Sequence, residues 1–265
     1  MVMKGKKEIL KNISHDELKG IKITFVNMPL RESATPNTPP EGPGILAAIV
    51  RKYGGEPSIL DLNGYRIKDR LAEEKGVPNG RHLTFKEAED LLLKHLDNVG
   101  DQDIFAFSGK ITTLLWQEEL AKIVKKIQPD CFLVSGNGLA TEIKQGLFTW
   151  IPELDAVARS EGDGVIVDIC KDGRLIKKLG WKKAISSGKL STYFVGEIRG
   201  KNRFVYQGFR PRNLDDIPYA ALDLLESDPY GYNVLEDYIN VPVWGTEANN
   251  SSATPFTMKR SLTSV

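Results

Sequence analysis

The sequence has few of the residues from which most catalytic sites and metal centres are built. It contains only two cysteines and three histidines among its 265 residues. Cys131 and Cys170 are far apart, and neither belongs to a C-x-x-C pair, so no disulfide framework or cysteine metal site is indicated. We therefore expect two buried, reduced thiols, as is usual for a cytoplasmic protein.

The chain also lacks an excess of charge of one sign and any long apolar run. Lys and Arg number 36 against 35 Asp and Glu, which leaves a formal net charge of +1. This balance gives no electrostatic reason to expect nucleic acid or an anionic membrane as a partner. The basic N-terminus has no apolar segment typical of a secretory signal, and no apolar run approaches the roughly 18 residues of a transmembrane helix.

Short apolar segments alternate with amphipathic helical patterns over the first two thirds of the sequence. This alternation predicts an α/β fold with a parallel sheet that is covered on both faces. We expect a flavodoxin-like (Rossmann-like), doubly wound, five-stranded sheet in the order 2-1-3-4-5. A dinucleotide-binding sheet is disfavoured because no G-x-G-x-x-G motif follows the first strand. The predicted strands cover residues 21–26, 58–62, 103–108, 130–134 and 155–159.

The pattern changes after about residue 172, which predicts three regions. Residues 1–19 form an N-terminal extension, residues 20–172 the α/β domain, and residues 173–265 a small α+β linker region. The linker contains a predicted hairpin over residues 192–207 with its turn at Lys201 and Asn202. Within the α/β domain, Thr84 and Glu87 have the spacing of a capping box and predict the start of a helix.

Ligands of open parallel sheets bind beyond the carboxyl ends of the strands, where the strand order reverses. For the predicted order, this point lies between strands one and three, and the loops after strands one, three and four converge there. These loops are rich in glycines and hydroxyls, which suit a bound molecule that is large, flat or extended. The same residue types are common in ordinary strand-to-helix turns, so a purely structural role stays open.

The loops contain no histidine, cysteine or carboxylate pair aimed at the centre of this crevice. We therefore predict a binding site without catalytic residues and without metal ligands. The predicted binding residues are Pro43, Ser108, Thr112, Ser135, Gly136, Asn137, Gly138, Glu161 and Gly162.

Several short motifs occur in an order and spacing that resemble a known family. Together they resemble the N-terminal cobalamin-binding domain of B12-dependent radical S-adenosylmethionine enzymes. The motifs are NMP at 27–29, PPEGPGILAA at 39–48, GEPSILD at 55–61, FSGKITT at 107–113, VSGNGLAT at 134–141, DAVARSEGD at 155–163 and LDDIP at 214–218.

The resemblance implies that the chain binds cobalamin in a base-off form with no protein histidine on cobalt, because the family's alternative D-x-H-x-x-G motif is absent. It implies that the nucleotide tail lies along the sheet edge by Ser108 and Gly136. It also implies a radical S-adenosylmethionine barrel in cis. The C-x-x-x-C-x-x-C motif of that barrel is absent, so the [4Fe–4S] cluster and S-adenosylmethionine are expected only in a missing part beyond residue 265. The implied reaction is methyl transfer to an unactivated centre.

Four positions depart from the family pattern. Asn137 and Ser160 stand where the family has glycine, Leu139 where histidine is common, and Lys110 where an apolar residue is frequent.

Two other functions stay open from the sequence. One is a non-catalytic, flavodoxin-like binding or receiver-type module. A receiver requires an acidic cluster after strand one and an aspartate after strand three, where this chain has Asn27 and Ser108. The other is a fragment of a sugar-nucleotide transferase, which fold analogy alone supports.

Overall fold

A computed structural model of the protein describes residues 13–29, 39–65, 74, 83–209 and 214–225. The middle of the proline-rich loop after the first strand, His82 and residues 226–265 of the predicted linker region lie outside these ranges. The strands are β1 (Lys22–Asn27), β2 (Glu56–Asp61), β3 (Ile104–Ser108), β4 (Phe132–Gly136), β5 (Ala156–Arg159), β6 (Phe194–Ile198) and β7 (Lys201–Gln207). The α-helices are α1 (Glu41–Lys52), α2 (Phe85–Val99), α3 (Leu114–Ile127), α4 (Asn137–Ile143), α5 (Leu147–Trp150), α6 (Ile166–Leu179) and α7 (Trp181–Ser186).

The strands form one seven-stranded sheet in the order β2-β1-β3-β4-β5-β7-β6. The first five strands are parallel and have the predicted order, which confirms the α/β fold class. The predicted hairpin adds two strands, because β7 pairs parallel to β5 and antiparallel to β6. Its turn lies at Arg199 and Gly200, which are both left-handed, and not at Lys201 and Asn202 as predicted. Residue 172, the predicted boundary, falls inside α6.

The hairpin joins the sheet because its inward side chains are large and apolar. Phe204 and Tyr206 of β7 are fully buried, and their rings stack with centroids 5.4 Å apart. The Phe204 ring also packs edge-to-face against the ring of Phe132 of β4, with the two centroids 5.5 Å apart. The hairpin therefore continues the core of the parallel sheet.

Helices cover both faces of the sheet, three on one face and four on the other within the described residues. One buried cluster packs α1, α6 and α7 against the sheet, and a second cluster packs α2, α3, α4 and α5 against the opposite face. Strand order reverses at β1, so α1 lies on a different face from the helices that connect β2 to β5. The chain returns to the face of α1 after β5, which brings α6 beside α1.

The helix ends follow from local sequence. The backbone N–H of Glu87 donates to Thr84 Oγ1 at 3.2 Å and that of Thr84 to Glu87 Oε2 at 2.8 Å, which confirms the capping box. Helix α1 begins at Glu41, because Pro43 is tolerated in a first turn whose N–H groups need no helical partner. The helical segment after β4 is divided into α4 and α5 at Lys144, which is left-handed with φ of 60°.

The segment 214–225, which we call the strap, packs against α1. The backbone N–H of Ala221 donates to the Gly44 carbonyl at 2.9 Å, and the Arg51 guanidinium donates to both carboxylate oxygens of Asp223 at 2.7 and 3.0 Å. Lys52 Nζ donates to the Asp216 carbonyl at 3.1 Å. These contacts fix the strap along the helix whose first turn leads into the candidate site.

Both cysteines are free and buried, as predicted. Burial raises the pKa of the Cys131 thiol to about 12, and burial also raises the pKa of Cys170. Both side chains therefore behave as small apolar groups. None of the helices within the described ranges combines the length and apolar character needed to cross a membrane.

A buried carboxylate links α6 to the hairpin and provides a test of the fold. Asp172 is 2% exposed and accepts hydrogen bonds from the Ser191 backbone N–H at 2.9 Å, the Ser191 hydroxyl and the Tyr206 hydroxyl at 2.8 Å. We expect Asp172→Ala to lower the free energy of unfolding by about 3 kcal/mol, because these donors lose their acceptor. Tyr206→Phe removes one of these bonds and should cost about 1 kcal/mol. Urea denaturation measures both values, and an Asp172→Ala loss no larger than that of Tyr206→Phe contradicts the linking role.

Candidate functional site

A cavity of about 290 Å³ opens at the carboxyl ends of the central strands, between α1 and α6. Its floor is made by side chains that alternate along β3, β4 and β5. Alternate residues of a strand face the same side of the sheet. The floor therefore carries Ala106 and Ser108 of β3, Val134 and Gly136 of β4, and Ala158 of β5. These side chains are small, which leaves the space that larger residues would fill.

The walls come from the two helices and one loop. Gly42, Pro43, Ile45 and Leu46 line the cavity from α1, and Ile166 and Ile169 line it from α6. The loop from Ser160 to Asp163 closes the side beyond β5, and Phe25 of β1 and Phe107 of β3 complete the lining. The site is therefore a gap between two neighbouring helices above the ends of three parallel strands.

Six predicted binding residues come together in this cavity. They are Pro43, Ser108, Gly136, Asn137, Glu161 and Gly162.

The other predicted residues, Thr112, Ser135 and Gly138, do not line the cavity. Ser135 follows Val134 and so points to the opposite face, where it is buried and its hydroxyl donates to Gln117 Oε1 at 2.6 Å. Thr112 and Gly138 are exposed outside the cavity. The cavity includes Phe25 of β1 and the end of β3, as the predicted position requires, and it extends beyond that point over β4 and β5, because the gap is set by the packing of α6 beside α1.

Sequence reasoning missed the apolar half of the lining. Leu46, Ala106, Ala158, Ile166 and Ile169 were not predicted as site residues, although all of them line the cavity. One signal in the sequence could have identified part of this set. Small residues occupy alternate positions at the ends of three successive strands, and that pattern leaves one face of a sheet without large side chains.

Two cavity residues have left-handed backbone conformations. Asn137 has φ of 71° and Ser160 has φ of 62°. Glycine favours this region and asparagine is one of the few other residues that enters it readily. Asn137 and Ser160 are also the two positions at which the chain departs from glycine in the resembled family. The departures therefore keep the backbone shape that glycine favours and add side chains to the mouth of the cavity.

The Asn137 side chain joins the loops after β3 and β4. Its Nδ2 donates to the Ser108 hydroxyl at 3.1 Å, and its Oδ1 accepts from the backbone N–H of Gly138 at 2.6 Å. Because Ser108 Oγ already accepts this hydrogen bond, its own O–H can donate to another acceptor.

Thr141 joins the loops after β4 and β5. Its hydroxyl donates to the Asn137 carbonyl at 3.0 Å and accepts from the Ser160 backbone N–H at 3.0 Å. Gly208 supports the second loop, because a side chain at this position would collide with the Glu161 carbonyl. The two left-handed residues are thus held by hydrogen bonds and by a close backbone approach.

The mouth of the cavity is polar and acidic. Glu161 and Asp163 both line it, and burial together with the nearby Glu161 raises the pKa of Asp163. No histidine or cysteine is among the lining residues, and the described residues contain no cluster of three or more His, Cys, Asp or Glu side chains that could hold a metal ion. The arrangement is suited to hold a ligand, with Glu161 and Asp163 as the two carboxylates at its mouth.

The bridging role of Thr141 can be tested by two substitutions. We expect Thr141→Val to lower the free energy of unfolding by about 1 kcal/mol and to speed hydrogen exchange at the Ser160 amide, because that N–H loses its acceptor. Thr141→Ser keeps the hydroxyl and should leave the Ser160 amide protected. Amide exchange followed by NMR or mass spectrometry measures the difference, and equal exchange in the two variants argues against the bridge.

The chain is similar to known proteins over most of its length. No protein-family model matches it. The uncharacterized methyltransferase PH0819 of Pyrococcus horikoshii is 29% identical over 224 residues, which cover 80% of this chain and 40% of the relative. The chain therefore spans less than half the length of this relative.

Solved structures share the fold at low identity. The cobalamin-dependent S-adenosylmethionine radical enzyme OxsB, with aqua-cobalamin and S-adenosylmethionine bound, has a TM-score of 0.52 and 17% identity over 78% of this chain and 25% of OxsB. The radical S-adenosylmethionine methyltransferase TsrM from Kitasatospora setae, with cobalamin and a [4Fe–4S] cluster bound, has a TM-score of 0.50 and 12% identity over 83% of this chain and 38% of TsrM. At such identities the similarity establishes a common fold.

Proposed function

We propose that this chain is the cobalamin-binding module of a radical S-adenosylmethionine enzyme that transfers a methyl group to an unactivated centre. The observation that carries the proposal is the cavity at the carboxyl ends of β3, β4 and β5, because it gathers Ser108, Gly136 and Asn137 with the Glu161–Gly162 loop. Among these residues, Ser108 and Gly136 are the ones beside which the family resemblance implies the nucleotide tail. The methyltransferase relative and the cobalamin-bound structures of the same fold support the assignment.

The size of the cavity fits part of cobalamin. A volume of about 290 Å³ is close to the lower limit of roughly 300 Å³ that is usual for small-molecule pockets. It is adequate for the nucleotide tail and far too small for the corrin ring. In this proposal the tail enters the cavity and the ring lies over the polar mouth.

Gly136 provides the space for a tail at the end of β4. A Cβ atom built on this residue has no neighbour closer than 3.9 Å, and the backbone is extended with φ of −127°. The fold itself therefore does not require glycine here. A bound molecule that approaches the strand end closely gives a reason for it.

The remaining lining residues have distinct roles in the proposal. The apolar floor packs against the nucleotide base, and the Ser108 hydroxyl and Asn137 amide offer hydrogen bonds to the tail. Ser160 and Glu161 at the mouth accept hydrogen bonds from the amide groups around the corrin ring. The two helices exclude water from the buried part of the tail.

The proposal includes a base-off cofactor without a protein histidine on cobalt. The two histidines within the described ranges both lie away from the cavity lining. His15 Nδ1 is 3.3 Å from the Lys52 carbonyl near the end of α1, and the buried His95 of α2 has its Nε2 3.1 Å from the Ser58 hydroxyl. Neither ring is available at the mouth, where the corrin ring would lie.

A bound cobalamin supplies the methyl-transfer chemistry, and this chain supplies its position. The [4Fe–4S] cluster and S-adenosylmethionine belong, in this proposal, to a radical S-adenosylmethionine barrel in cis that the given chain does not contain. The chain alone is therefore expected to bind the cofactor without turnover.

Gly136 and Gly138 offer a matched pair for testing cofactor binding. We expect Gly136→Val to weaken the binding of hydroxocobalamin by at least about tenfold, because the side chain fills the space of the tail. Gly138→Val should bind like the wild type, since a Cβ at this exposed position meets nothing within 4 Å. Isothermal titration and the absorbance of the complex measure affinity and the base-off state.

Thermal unfolding of both variants controls for folding. The proposal is wrong if the folded wild-type chain does not bind hydroxocobalamin, either alone or joined to the rest of its natural enzyme. Equal weakening by both substitutions would place the tail elsewhere.

A further inference from the structure

The cavity separates apolar from polar residues by depth. Every described lining residue that is buried is apolar, whereas the polar side chains are all partly or fully exposed at the mouth. The buried set consists of Phe25, Pro43, Phe107, Val134, Ala158, Ile166 and Ile169. The polar set consists of Ser108, Asn137, Ser160, Glu161 and Asp163.

Pairing between strands occupies backbone polar groups along the floor. The floor is the face of a parallel sheet, in which N–H and C=O groups lie in the plane of the sheet and pair with neighbouring strands. Ala106 is in register with Val134, Val134 with Ala156, and Ala158 with Tyr206. The buried side chains of the floor are therefore all apolar, and the polar atoms near the end of β4 include the carbonyl oxygens of Phe107 and Ala158, each 3.9 Å from the position of a Cβ on Gly136.

We propose that the cavity selects a corrinoid with an apolar benzimidazole as its nucleotide base and discriminates against one with an aminopurine base. This inference rests on the proposed function, because it requires the nucleotide tail to enter the cavity. An exocyclic amine and the additional ring nitrogens of a purine lose hydrogen bonds to water on burial. The buried side chains of the floor offer no donor to the ring nitrogens, whereas methyl groups on a benzimidazole gain apolar contact.

The selectivity can be measured with three corrinoids. Hydroxocobalamin carries dimethylbenzimidazole, the adenine-based corrinoid carries an aminopurine, and cobinamide has no base. We expect the adenine-based corrinoid to bind about tenfold or more weakly than hydroxocobalamin, since an unpaired buried polar group costs about 1–3 kcal/mol and 1.4 kcal/mol is tenfold. Cobinamide should also bind more weakly, because it leaves the floor uncovered.

Two variants locate the source of the selectivity. Ala158→Ser adds a hydroxyl to the floor and should reduce the affinity ratio of the two base-containing corrinoids by several-fold. Ser108→Ala changes the mouth and should weaken both corrinoids while leaving their ratio unchanged. Thermal unfolding controls for the fold of each variant.

The outcomes distinguish this inference from the proposed function. Equal and tight binding of both base-containing corrinoids overturns the selectivity and leaves cobalamin binding intact. Cobinamide binding as tightly as hydroxocobalamin also overturns it, because the base then makes no contribution. A chain that binds none of the three, in the full enzyme as well as alone, contradicts the proposed function itself.

Discussion

The site depends on the register of three neighbouring parallel strands. Pairing of β3 with β4 sets Ala106 beside Val134 and Ser108 beside Gly136, and pairing of β4 with β5 continues this alignment. A slip of one residue in β4 would turn Val134 and Gly136 to the other face and bring Leu133 and Ser135 to the floor. Such a slip would also take the Ser135 hydroxyl away from the buried Gln117 side chain to which it donates. The register that completes the core therefore also creates the cavity.

The order of the central strands could be predicted because apolar segments and helices alternate clearly in the sequence. The loops that carry Ser108, Asn137 and Glu161 could be predicted for the same reason, since strand ends of a parallel sheet share one edge. The lateral position of the cavity could not, because it depends on the distance between α1 and α6. Nothing in the local sequence of either helix indicates which helix packs beside it. Leu46 and Ile166 therefore look like ordinary core residues in the sequence.

The position of β6 and β7 in the sheet could not be predicted from the sequence either. The sequence predicts the hairpin, but pairing with β5 depends on the packing of Phe204 against Phe132, two residues far apart in the chain. Local pattern cannot show which edge of a sheet a hairpin joins. Ser135 was predicted as a binding residue, although the alternation of side chains along β4 places it on the opposite face from Val134 and Gly136, where its hydroxyl donates to Gln117.

Helix α1 lines the cavity with one side of its first turn and contacts the strap with the other. Pro43 faces the cavity, while the next residue, Gly44, accepts a hydrogen bond from the strap and would bring a Cβ to 3.1 Å from Ala220. The strap has little room to shift against this turn without displacing it. The first turn of α1 thus contacts the strap on one side and lines the cavity on the other. A substitution that displaces residues 214–225 from Gly44 is therefore expected to alter one wall of the cavity while every lining residue stays the same.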